Sequence, residues 1–283
     1  MLKGYTKQEI SWMMYDWANS AHSVIIVTLL PIFFDTVAGY TADSVSSMST
    51  WGYATSIAML IVALAAPFLG VFGDIRGMRK KLFSFFMLLG VAACAGMAFT
   101  PGMDFTSGPV AAGKVASLIL VLYIVSVIGF DASAIYYDAF LTDVTTEDRM
   151  DKVSTMGYGL GYIGGSTIPL LIFLIMNLVG VPMLNCLAFV FGLTAVWWLA
   201  FSLPLLKNCE QTSGKPYEKG DVARSIKGVG TTIKEIIANK PMLIYILSYF
   251  FYIDGVHTVI SMATTYGTNL GLDSTGMMLA LLL

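Results

Sequence analysis

Two short segments place carboxylates, amides, imidazoles and hydroxyls inside otherwise apolar runs. In YDWANSAHSVI (15–25), Asp16, Asn19, Ser20 and Ser23 recur at i, i+3, i+4 and i+7, with His22 beside them. That spacing makes one polar stripe on a helix. In FFYIDGVHTVI (250–260) and the residue after it, Asp254, His257, Thr258 and Ser261 repeat the pattern. The two segments also align residue by residue, Asn19-Ser-Ala-His22-Ser-Val-Ile against Asp254-Gly-Val-His257-Thr-Val-Ile. A third apolar run carries Asp131 near its middle and Asp138 seven residues on, on the same face.

Such groups can bind a polar or cationic solute and can carry protons. A charge at mid-bilayer costs about 2.5–3.5 kcal/mol, so intramembrane charges face a bundle interior or a wet cavity. On this reading Asn19, His22, Asp131, Asp254 and His257 line a substrate and proton cavity. A plainer role competes for each. Asp131 and Asp254 suit hydrogen-bonded carboxyls between helices, and His22 and His257 suit helix packing. Asp16, nearer a helix start, suits an acid favoured by the helix dipole; it is placed with Asp138 at an inner gate. No Lys or Arg falls inside the expected spans, so the buried polar set is acidic and neutral. That favours an amino acid, another amine or small cation, or coupling to protons.

The elements that must position these groups are membrane helices. Of 283 residues, 57% are apolar and 12% charged, against about a quarter charged in soluble domains. Apolar runs of spanning length, about 20 residues, are expected at 15–38, 50–72, 82–100, 115–141, 154–178, 183–206 and 241–266. An eighth opens near 274 and is still open at Leu283, so the chain is expected to be the leading part of a longer one. With the N-terminus inside, fifteen of the sixteen Lys and Arg fall on the cytoplasmic side, and only Lys114 falls outside. The expected divisions are a six-helix half (1–206), a cytoplasmic linker (207–240) and the start of a second half (241–283). The linker opens with a flexible composition, KNCEQTSGKPYEKGD. It closes on an amphipathic helix, Val222, Ile226, Val229, Ile233 and Ile237 opposing Arg224, Lys227 and Lys234, which suits the inner leaflet. Six spans, a linker and further spans form a two-halved plan with a parallel repeat.

Between the second and third spans, GVFGDIRGMRKK puts Asp74, Gly77 and Arg79 in a tight bend. Gly77 permits the bend, and Asp74 with Arg79 can form a breakable latch at the inner gate; an ordinary basic loop is the plainer alternative. In the fifth span, Gly157, Gly161 and Gly165 at four-residue intervals form a small-residue face for helix packing. Gly159-x-Gly161-x-x-Gly164 matches a dinucleotide fingerprint only as a pattern, since no strand precedes it. Cys94, Cys186 and Cys209 lie far apart and no CxxC occurs, so no metal site and no cofactor is expected.

GVFGDIRGMRKK resembles the signature loop of the major facilitator superfamily, departing from it at Ile75 and Met78. YDWANSA, YYDAFLTDV, VSTMGYGLGYIGG and YFFYIDGVHTVISMATTYG resemble one branch, the vacuole effluxer-like or unknown major facilitator family. Position 22 is more often aromatic there. The resemblance implies an all-α, twelve-helix fold, of which this chain holds the first six-helix bundle and one to two further helices. It implies secondary transport by alternating access, with a small-molecule substrate, and efflux of amino acids by analogy with fungal members. A monomeric, multi-pass protein of the cytoplasmic membrane is expected, contacting lipid and no nucleic acid, with protons as a candidate coupling ion. A membrane sensor or scaffold retaining the fold is the main rival. An intramembrane enzyme is disfavoured, because two isolated histidines make no HExxH motif.

Overall fold

The structure is a computed structural model describing residues 3–41, 44–216, 220–273 and 276–277. It is all-α. In order the helices are α1 (Lys7–Ala38), α2 (Ser44–Gly73), α3 (Arg79–Met97), α4 (Pro109–Val144), α5 (Met150–Leu160), α6 (Thr167–Leu178), α7 (Met183–Asn208), α8 (Asp221–Ala238) and α9 (Lys240–Asn269). A π-helical turn, Gly161–Ser166, joins α5 to α6. Seven spans among the described residues are long and apolar enough to cross a membrane, with α5, the π turn and α6 together forming the fifth. The start of the expected eighth span lies almost wholly outside the described residues.

Several helices run past their expected ends. α1 begins at Lys7, where Thr6 caps it: Thr6 Oγ1 accepts Glu9 N at 3.1 Å and Glu9 Oε2 accepts Thr6 N at 2.7 Å. This reciprocal pairing satisfies two otherwise orphaned donors. Glu9 also accepts from Arg149 Nε at 2.8 Å and Thr145 Oγ1 at 2.7 Å, tying α1 to the α4–α5 connection. α4 begins at Pro109, which sets Lys114 within its second turn and not in a loop.

α1 is the most enclosed span and α2 and α9 the least. α1 packs against α4, α5, the π turn and α7, α3 lies along α4 and α7, and α9 touches α1 and α2. Two apolar clusters follow α1. Leu29 and Phe33 pack with Trp51, Ile119 and Phe191. Trp12, Met13 and Tyr15 pack with Phe83, Phe140 and Trp198 nearer the N-terminus. Between lipid-solvated helices close contact matters more than apolar burial, and small residues provide it. A Cβ on Gly129 of α4 would stand 2.5 Å from Gly90 N of α3, so there the backbones touch.

The π turn interrupts the expected continuous fifth span. Pro169 has no N–H to return to the Gly165 carbonyl, and Thr167 Oγ1 reaches back five residues to Tyr162 O at 2.9 Å. A widened turn accommodates both.

Segment 209–216 departs from its flexible composition. It lies fixed against the α2–α3 bend, with Arg76 N donating to Lys215 O at 3.0 Å and Lys215 N to Asp74 O at 3.1 Å. Gly214 has φ +109°, and a Cβ there would stand 2.7 Å from Asp74 O, so only glycine suits the crossing. Further on, Ile233 and Ile237 of α8 are 51% and 57% exposed beside Lys234. The side chains of Val222, Arg224 and Ile226 lie outside the described residues.

Candidate functional site

A cleft of about 580 Å³ opens between α1 and the fifth span. Asp16, Asn19, Ser20 and Ser23 form its α1 wall, so the whole stripe read from the sequence shares one surface. Tyr158, Tyr162 and Thr167 face them, with Phe130 of α4 and Ile260 of α9 completing the lining. The Tyr158 and Tyr162 hydroxyls lie 3.2 Å apart. Among the described residues Asp16 carries the cleft's one formal charge, and no Lys or Arg lines it.

The glycine face explains why α5 comes so near α1. A Cβ on Gly157 would stand 2.6 Å from Asp16 Oδ2, one on Gly161 2.6 Å from Ser20 Oγ, and one on Gly165 2.5 Å from the Trp17 carbonyl. Gly164, which the four-residue spacing omits, is tighter still: its Cβ would enter the Trp17 ring at 1.9 Å. The π turn advances the register by one residue and brings both Gly164 and Gly165 onto α1.

The other expected cavity residues are dispersed. His22 is 2% exposed, stacked on Phe130 at 4.9 Å and tilted on Trp198 at 5.0 Å. Neither of its ring nitrogens has a hydrogen-bond partner. It packs behind the stripe and does not line the cleft, because the single step from His22 to Ser23 turns the helix by about 100° and points His22 into the bundle. Asp131 is half-buried, follows Phe130 and lies off the cleft. Asp254 and His257 are exposed on α9 among the described residues.

The gate residues also separate. Asp16 sits in the cleft beside Asn19, and Tyr137 Oη donates to its Oδ2 at 2.8 Å. Asp138 is exposed. Arg79 is 4% exposed and stands 3.9 Å from Asp74, whose side chain is 84% exposed. Its closer partner is Asp143 of α4, in direct ionic contact with Nη1. Nη1 also donates to Ala139 O at 2.9 Å and Ser213 Oγ at 3.2 Å. Asp143 Oδ1 accepts Ser213 N at 2.8 Å, Thr212 Oγ1 at 2.9 Å and Thr212 N at 3.1 Å. Gln211 Oε1 takes Gly77 N at 2.8 Å and Arg79 N at 3.2 Å, while its Nε2 donates to Gly73 O at 3.0 Å. The bend, the end of α4 and the first linker residues thus make one knot around a buried ion pair. YYDAFLTDV held the signal for Asp143, an acid at a helix end whose i−5 neighbour, Asp138, drew the attention. Gln211, Thr212 and Ser213 carried none beyond linker composition. Among the described residues no group of three or more His, Cys, Asp or Glu is arranged to hold a metal ion.

The chain matches the family described as vacuole effluxer Atg22 like over residues 5–148 and 142–283. It is 40% identical to the uncharacterized MFS-type transporter YxiO of Bacillus subtilis (strain 168), over 99% of this chain and 65% of that protein. It is 26% identical to autophagy-related protein 22-1 of Penicillium rubens, over 41% of this chain and 21% of that one. The crystal structure of a D-xylose-proton symporter superposes with a TM-score of 0.60 at 14% identity, over 98% of this chain and 64% of the symporter. The chain therefore spans about two thirds of the length of the bacterial relative.

Proposed function

The chain belongs to the vacuole effluxer Atg22-like family and has the major facilitator fold, and on that premise we propose that it is the leading part of a secondary transporter for a small amine or amino acid. The carrying observation is the cleft between α1 and the fifth span, whose one formal charge is the Asp16 carboxylate. An ammonium group there gains a counter-charge in a partly desolvated site, with Asn19, Ser20, Ser23 and the two tyrosine hydroxyls to accept its remaining hydrogens. Phe130, Tyr158 and Tyr162 supply faces for a cation. Asp131, Asp254 and His257 belong on this reading to the space between the two halves, where they bind solute or pass protons. The α8 face with Ile233 and Lys234 suits the lipid surface on the cytoplasmic side, in keeping with an N-terminus inside. The protein works as a monomer in the cytoplasmic membrane, and the halves rock about the cleft.

The test is uptake of radiolabelled lysine, ethanolamine and methylammonium into proteoliposomes holding the full-length protein, with and without a proton gradient. At least one amine should enter, and Asp16→Asn should raise its half-saturation concentration about 10–150-fold, the equivalent of one hydrogen bond to a charged group. Equal transport by Asp16→Asn and the parent would remove Asp16 from the site.

A further inference from the structure

We infer that Tyr137 is the positioning residue for Asp16, its phenol holding one carboxylate oxygen so that the other is presented to the cleft. The inference rests on reading Asp16 as the counter-charge of the substrate. Tyr137 is 4% exposed and its Oη donates to Asp16 Oδ2 at 2.8 Å. Nothing about its ring is loose. It stacks on Trp12 with centroids 4.3 Å apart and planes 14° apart, and leans on Tyr15 at 4.8 Å. The Trp12 indole N–H donates to the Tyr137 carbonyl at 2.9 Å, so the stack is tied to the backbone of α4 as well. Tyr15 Oη is itself held, 2.8 Å from Ser133 Oγ one turn earlier on α4. Aromatic residues from both helices thus aim one hydroxyl at one oxygen.

The opposite side of that oxygen is shaped by an absence. A Cβ on Gly157 would stand 2.6 Å from Oδ2, so the carboxylate occupies the place a side chain would take. Oδ2 is therefore enclosed between a donor and a glycine, while among the described residues no donor reaches Oδ1. A site fixed by its neighbours loses less on binding than one that must be ordered by the solute. Tyr137 touches no cleft space itself; it acts through Asp16.

The experiment has two arms, both on the full-length protein. In the first, detergent-solubilised protein is treated with dicyclohexylcarbodiimide, and the peptide carrying Asp16 is quantified by mass spectrometry. Tyr137→Phe keeps the ring and its stack but frees Oδ2, and Asp16 should label about 10–150-fold faster, the worth of one hydrogen bond to a charged group. An unchanged labelling rate overturns the inference whatever the substrate proves to be. In the second, the same three amines are offered to proteoliposomes. Tyr137→Phe should raise the half-saturation concentration several-fold with the maximal rate kept, and adding it to Asp16→Asn should change nothing further. Independent, additive effects would mark Tyr137 as packing alone and overturn the inference. Faster labelling in a protein that takes up none of the amines upholds Tyr137 as the positioning residue and overturns the amine reading instead.

Discussion

Asp143→Asn should loosen the end of the bundle that carries the N-terminus. The side chain of Asp143 is fully enclosed and that of Arg79 is 5% exposed. Asparagine keeps the shape and one carbonyl oxygen for Thr212 and Ser213, but it leaves the guanidinium charge buried without its counter-charge. Removing one partner of a buried pair costs about 3–5 kcal/mol. Asp74 offers little relief: at 3.9 Å, with its side chain 84% exposed, it resembles surface pairs worth about 0–1 kcal/mol. For a bundle of this size a net loss near 3–5 kcal/mol lowers the melting midpoint by roughly 6–20 °C. The assay is thermal unfolding of full-length protein in detergent, followed by tryptophan fluorescence. The set is Asp143→Asn, Asp74→Asn and the double variant Arg79→Gln/Asp143→Asn. Asp74→Asn should stay close to the parent, and the double variant should recover much of the loss because no bare charge remains. If Asp143→Asn melts within about 2 °C of the parent, or if Asp74→Asn falls as far, the knot is not held as described.

Other outcomes follow from the same contacts. Gly164→Ala should abolish well-folded protein, since its Cβ enters the Trp17 ring, whereas Gly159→Ala meets nothing within 4 Å and should raise stability by about 0.4–1 kcal/mol; size-exclusion profiles and melting curves separate the two. His22→Phe should raise the melting temperature and preserve transport, because it exchanges two unpartnered ring nitrogens for carbon between Phe130 and Trp198; lost uptake with intact folding would return His22 to the cavity. Burial pushes the Cys209 thiol up to about 12, so the folded protein should resist maleimide at that site at pH 8 and react after denaturation. The folded state holds that proton more tightly than the unfolded chain, so Cys209 favours folding below about pH 9 and the contribution fades as pH climbs toward about 12.

Much of the architecture was legible because length and hydropathy set it: seven spans, the α8 helix and the polar stripe of α1 all follow from composition and a 3.6-residue period. Helix ends were less legible. Thr6 and Glu9 form a capping box, yet the expected first span began at Tyr15, because hydropathy marks where lipid begins and not where a helix does. The π turn was hidden, since an inserted residue changes no composition; it is why Gly164 joined Gly157, Gly161 and Gly165 on α1. His22 was misplaced by its kinship with His257. A repeat equates positions in sequence, while burial depends on what packs against each copy, and Phe130 and Trp198 have closed over the first. Arg79 was paired with Asp74 because five residues separate them. Asp143 lies 64 residues away, and a long-range ion pair has no local signature.

Asp16 of α1, half-buried, and Asp143 of α4, its side chain fully enclosed, differ in a way that suits different work. Asp143 is saturated, with Arg79, Thr212 and Ser213 all donating to it. Loss of Arg79 would leave the charge unpaired and loss of Thr212 or Ser213 would leave an acceptor unfilled, so the group is suited to hold one arrangement. Asp16 has one donor, Tyr137, and faces a cleft. On the proposed function, a solute arriving there would complete its coordination without first breaking a bond, so the free energy of occupancy would not be consumed by rearrangement. A transporter needs both kinds: a seat that accepts and releases its guest cheaply, and a joint that keeps the surrounding helices moving as one body. The knot at the α2–α3 bend is continuous with the backbone of the linker at Lys215. Segment 209–216 is therefore tied to α2, α3 and α4 together, and α4 carries Tyr137 less than two turns from Asp143.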